Sequence, residues 1–86
     1  MKKERILFIQ TPSKTDKTYL NMVSKYRFFE KEFKKRYVKL RTKHSDKLNV
    51  MLIGFDGSVK FSSKDYDPFT ILLLIDNMPM GHIRRN

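Results

Sequence analysis

Two short runs of consecutive apolar residues stand out along this chain, Ile6-Leu7-Phe8-Ile9 and Val50-Met51-Leu52-Ile53. Elsewhere apolar and polar positions alternate or recur at helical spacing. A continuous apolar run of this length, closed by turn residues, suits a strand covered on both faces in the middle of a sheet. The spacing therefore predicts central strands over residues 6–10, closed by Thr11-Pro12-Ser13, and over 49–55. Residues 37–42 alternate instead, with Val38 and Leu40 on one side and Lys39 and Arg41 on the other; 58–64 do the same with Val59 and Phe61. Alternation with lysine outward suits edge strands, which charge protects from unwanted pairing.

Asp56-Gly57 between the second central run and 58–64 is a strong short-range hairpin signal. Tyr19, Met22, Val23, Tyr26, Phe29 and Phe33 fall on one face at helical spacing, which predicts a long helix over 16–35. Ser13-Lys14-Thr15-Asp16 offers capping oxygens, and Lys34-Lys35-Arg36 suits the negative end of the helix dipole. A second helix is predicted from about Asp67, with Pro68 at its first position, stopping before Pro79. The order is β-α-β-β-β-α. A right-handed crossover makes the first two strands parallel, and the hairpin makes the last two antiparallel. Placing the continuous runs centrally then requires a four-stranded mixed sheet of order 2-1-3-4. This is an α/β arrangement, the minimal thioredoxin-like core. No repeat or linker divides the chain, so residues 1–86 are expected to form one domain.

The stretches Ile6-Leu7-Phe8-Ile9 with Thr11-Pro12-Ser13, Leu52-Ile53-Gly54-Phe55-Asp56-Gly57-Ser58-Val59-Lys60-Phe61 and Ile75-Asp76-Asn77-Met78-Pro79-Met80 resemble a domain-of-unknown-function family. That family occurs in bacterial proteins, often secreted, and in vertebrate sushi-repeat and coiled-coil-domain matrix proteins. The resemblance covers most of the chain. It implies a thioredoxin-like fold and leans towards an extracytoplasmic setting. The chain departs from the family pattern at Phe55, where a Lys is usual, and at Gly81-His82, where arginines follow the Met-Pro-Met. The family also inserts a helical segment before the second central strand, where this chain has only Lys43-His44-Ser45-Asp46-Lys47-Leu48. Six residues reach ~20 Å when extended, against ~10 Å for two strand spacings, so the connection closes.

Composition narrows the chemistry. Eighty-six residues bury only about 60% of the surface their unfolded chain exposes. With 19 Lys and Arg against 9 Asp and Glu the formal net charge is +10, which favours polyanions such as nucleic acid or sulfated glycan and equally describes a lysine-rich soluble surface. There is no cysteine, which excludes disulfides, thiol redox cycling and thiolate metal sites. No stretch approaches the ~18 apolar residues of a membrane span. Only four apolar residues follow the basic start, short of the roughly 7–15 of a signal peptide, so none is expected and the compartment stays open.

Where redox-active thioredoxin-like proteins carry their cysteine pair, this chain has Thr11-Pro12-Ser13-Lys14. Thr11, Ser13 and Lys14 at a helix start can hold an anion, either as a binding point or in an enzyme acting on an anionic substrate; they also read as a plain cap. Ser13, His44 and Asp46 match a triad by composition alone, without an elbow motif. His44 and His82 lack companions at metal spacing. Neither cofactor, metal nor catalytic residue is expected. On the long helix Lys14, Lys17, Lys25, Lys31 and Lys35 fall opposite the apolar stripe, with Phe28 among them: a basic face able to stack a base or dock a partner, or a solvated lysine face. The leading functional expectation is a non-redox binding or interaction module.

One expectation concerns assembly. If both helices lie on one face, the missing family helix leaves some four large apolar side chains of the central strands uncovered on the other. At roughly 1.5–3 kcal/mol each, that favours a homodimer through this face, with the segment after Pro79 as the alternative cover.

Overall fold

The computed structural model describes residues 4–78. Strands β1 (Arg5–Thr11), β2 (Val38–His44), β3 (Asn49–Ile53) and β4 (Val59–Ser63) form one sheet of order β2-β1-β3-β4. β1 runs parallel to β2 and antiparallel to β3, and β3 is antiparallel to β4. The two continuous apolar runs are the two central strands, as predicted, and the alternating segments are the edges. The fold is α/β and consistent with a minimal thioredoxin-like arrangement. Residues 45–48 alone carry the chain from β2 to β3, and Ser45 N donates to Thr11 O at 3.0 Å, extending the parallel ladder by one bond.

The predicted helix over 16–35 is divided. Helix α1 (Lys17–Phe28) ends at Phe29, and α2 (Glu30–Lys35) follows directly. Phe29 has φ −108° and ψ 23°, outside the helical basin, although its amide still donates to Lys25 O (3.2 Å) and its carbonyl accepts from Phe33 N (3.0 Å). Tyr26, Phe28, Phe29 and Phe33 are all aromatic, and aromatic residues lose rotamer freedom in a helix. The Phe29 ring meets Phe69 edge-on, with centroids 4.9 Å apart, and this tertiary contact sits at the break. Arg36 then caps α2, and Tyr37 takes a left-handed φ of 60°, its amide donating to Lys34 O at 3.0 Å. That is why β2 starts at Val38 and not at the predicted Tyr37. The last helix, α3 (Pro68–Asp76), has Asp67 as its cap, accepting from Phe69 N, and Pro68 in its first turn.

The hairpin forms where predicted, with β3 ending two residues early. Gly57 has φ 83°, a value that side chains resist, and its amide donates to Gly54 O at 3.0 Å. The Asp56 carboxylate accepts from Ser58 N (3.0 Å) and from the Ser58 hydroxyl (2.8 Å). These bonds, with Lys60, hold its pKa at about 2. Lys60 is the extra residue of a bulge, since Leu52 pairs with Phe61 and Ile53 with Val59.

All three helices bury their apolar stripes on one face of the sheet. Leu7, Ile9, Val50 and Leu52 from the central strands join Met22, Phe33, Ile71 and Ile75 in one fully buried cluster. The alternate positions of the same strands, Ile6, Phe8, Met51 and Ile53, point to the opposite face and are half-buried. Among the described residues no helix or strand covers that face. The expectation that the segment after Pro79 crosses it lies outside the described residues.

Candidate functional site

The turn between β1 and α1 brings Thr11, Ser13 and Lys14 together. Thr11 is buried at the end of β1; its hydroxyl donates to Ser13 O at 2.7 Å and accepts from Ser13 N at 3.2 Å. The Ser13 hydroxyl shares a hydrogen bond with Thr15 Oγ1 (2.7 Å) and accepts from Thr15 N (3.1 Å). The helix cap is Asp16, whose carboxylate accepts from Tyr19 N at 3.0 Å. Both hydroxyls are thus used within the turn, and a carboxylate already occupies the helix start that an anion would seek. No hydrogen bond among the described residues joins Ser13 to His44 or Asp46, and no group of three or more metal-ligating side chains occurs among them.

The basic helix face is less uniform than its periodicity implies. Lys17 and Lys31 are exposed. Lys35 is also exposed and reaches Glu32 at 3.4 Å. Lys25 differs: its side chain is only 26% exposed, pairing with Asp65 at 3.1 Å and donating to Tyr66 O at 2.8 Å, with the Tyr66 ring 5.4 Å away. It ties α1 to the segment leading into α3. Phe28 is 83% exposed, its ring edge-on to Phe29 at 5.1 Å. Phe28 and Lys25 therefore do not act as one exposed unit.

The open sheet face gathers more chemistry than either. Register across the strands sets out three rows. Lys39 lies beside Ile6, Ile53 and Val59; Arg41 beside Phe8, Met51 and Ser62; Lys43 beside Gln10 and Asn49. Lys39 reaches Glu4 at 3.4 Å. Arg41 and Lys43 are exposed and have no ion pair among the described residues. Past the third row opens a cleft of about 790 Å³, lined by Gln10 and Asn49 together with Ser45, Asp46, Lys47 and Lys64. Asn49 Nδ2 donates to Ser62 Oγ at 3.3 Å. The surface thus grades from apolar, through one aromatic ring, to polar and cationic.

The chain matches no family model, no curated protein and no solved structure.

Sequence reasoning identified the apolar members of this face and treated its alternating edge only as protection. The signal for the cationic column was available: Lys39 and Arg41 alternate away from Val38 and Leu40, and a parallel register with β1 sets them beside Ile6 and Phe8. The cleft had no local signal, because its walls come from three separate segments.

Proposed function

We propose that this chain is a non-redox, thioredoxin-like binding or interaction module of the domain-of-unknown-function family it resembles, and that it works through the open face of its sheet. One observation carries the proposal. Ile6, Phe8, Met51 and Ile53 lie together on a face that no helix or strand covers among the described residues, whereas every helix packs on the other. A half-buried apolar strip left without a covering element and rimmed by charge suits a binding surface. Thiol chemistry is absent because the chain has no cysteine. The reading as an enzyme on an anionic substrate at Thr11, Ser13 and Lys14 draws little support from the turn, where the Thr11 and Ser13 hydroxyls are bonded locally and Lys14 is an exposed surface cation.

An insulin-turbidity assay is expected to show no reductase activity, and turnover above background would overturn the non-redox part. For the binding part, Phe8→Ser is the informative variant. A half-buried residue kept for packing would cost stability when truncated; one kept for binding would cost association with little change in unfolding midpoint.

A second reading is a homodimer through the same face, favoured by the apolar strip itself. Sedimentation equilibrium at micromolar concentration checks it: a concentration-dependent mass lost in Phe8→Ser supports the dimer, and a clean monomer removes it. Charge weighs against self-pairing. The rows carry Lys39, Arg41 and Lys43, and the acids nearby are Glu4, already paired with Lys39, and Asp46 in the cleft. Two copies brought face to face with β2 over β2 would set cation against cation.

A further inference from the structure

We propose that the open sheet face binds single-stranded nucleic acid, with a base stacked on Phe8, the phosphate backbone following Lys39, Arg41 and Lys43 along β2, and the adjoining cleft receiving a neighbouring nucleotide. The proposal rests on the reading of this face as the binding surface and names its partner.

Three features fit that ligand together. Phe8 lies in the middle row with Arg41 and Met51 as its cross-strand partners, so an aromatic residue and an arginine are neighbours on this face. Aromatic rings accept unpaired bases of any sequence, and a neighbouring cation answers the phosphate. The cations also form a column and not a scatter. Lys39, Arg41 and Lys43 succeed one another on one side of β2, one strand spacing of ~4.8 Å from the Ile6, Phe8 and Gln10 column. A polyanion with planar rings fits such paired stripes. Finally, the cleft beyond the third row is lined by Lys47 and Lys64 and by Gln10 and Asn49, whose amides can donate to and accept from base edges. Its volume of about 790 Å³ falls in the range of small-ligand sites. Asp46 on its wall offsets part of the charge of Lys47 and Lys64, so that end is less cationic than the β2 column and its amides suit a base or sugar.

Other polyanions fit less well. A duplex hides its base faces, so Phe8 would have nothing to stack on. A sulfated glycan would use the cations and leave the ring idle. The helix side has exposed rings at Phe28 and Phe69 but, among the described residues, no regular cation column beside them, since Lys25 is bound to Asp65 and Tyr66 and Lys35 to Glu32.

The test is fluorescence anisotropy of the full chain with a labelled oligothymidylate, repeated with a duplex of equal length and with heparin as competitor, across a salt series. Single strands should bind more tightly than the duplex, and log affinity should fall linearly with log salt. Phe8→Ala should weaken single-strand binding by about 10- to 100-fold while Phe8→Trp restores it. Arg41→Ala and Lys43→Ala should each reduce the salt slope by about one contact. Phe28→Ser, on the other side of the molecule, should leave binding unchanged. Circular dichroism of each variant separates lost binding from lost folding.

Three results would overturn the proposal: no single-strand binding at low salt; equal affinity for duplex and single strand; or salt-sensitive binding that Phe8→Ala leaves intact. If the oligonucleotide fails while Phe8→Ser abolishes self-association in the ultracentrifuge, the nucleic-acid proposal falls and the binding-module reading stands. If Phe8 variants alter neither, both fall.

Discussion

Phe33→Ala should lower the unfolding free energy by about 3–5 kcal/mol, the usual cost of emptying a buried phenylalanine site. Phe33 is fully buried and stacks on Tyr26 with ring centroids 5.1 Å apart and planes 12° from parallel. It is the buried residue of α2, a helix of six residues, far shorter than the length at which isolated helices hold together in water. The pairs of Arg36 with Glu32 (3.1 Å) and Asp76 (2.8 Å) assist it at the surface, where such contacts contribute little each. Removing the ring leaves a cavity beneath α2 and unstacks Tyr26 in the same step. In a domain with about 5–15 kcal/mol in total, the melting temperature should fall by roughly 20 °C. Phe28→Ala is the control: its ring is exposed, and its change should stay within about 0.5 kcal/mol. Thermal and urea unfolding of the two variants check the pair. Similar losses in both would mean that the packing of α2 does not hold this end of the molecule.

That contrast also shows what periodicity can read. Spacing separates Phe28 from Phe33, because Phe33 falls on the stripe of Tyr19, Met22 and Tyr26 and Phe28 does not. The strand order was legible for a similar reason: the central strands carry unbroken apolar runs without lysine although one face lacks the expected cover, and the edges carry the lysines. The break at Phe29 was not legible. Neither glycine nor proline marks it, and the contact beside it comes from Phe69, forty residues further on. Lys25 shows the same limit of local spacing. Helical spacing sets it on the solvent side, but Asp65 and Tyr66 arrive from another segment to bind it. The candidate site was half legible, since alternation separates Lys39 and Arg41 from the core and only the register with β1 sets Arg41 beside Phe8.

Above about pH 10 the protein should lose stability steeply, and Tyr66 should be a principal cause. Its hydroxyl donates to Met22 O at 2.7 Å inside the core. Burial, then the Asp65 charge, then neighbouring Tyr26 push its pKa well above the ordinary tyrosine value. Tyr26 is raised in the same direction, by burial first and then by Glu30, and its hydroxyl donates to Val38 O at 2.8 Å. A raised folded-state pKa means that the unfolded chain releases its proton first as pH rises. The contribution of each phenol is therefore whole below about pH 10 and is lost above it, at about 1.4 kcal/mol per pH unit until the folded phenol also ionises. Tyr66→Phe separates this from general alkaline effects. At neutral pH it should cost about 0.5–1.5 kcal/mol, through the lost hydrogen bond to Met22. Its stability should then decline less steeply than that of the parent, by about 1.4 kcal/mol per unit, so that the two curves converge near pH 11. Urea unfolding across this range measures the convergence. Ultraviolet titration should show tyrosinate from Tyr66 appearing only with unfolding. Parallel stability curves for parent and variant would show that the Tyr66 proton is not held by the fold.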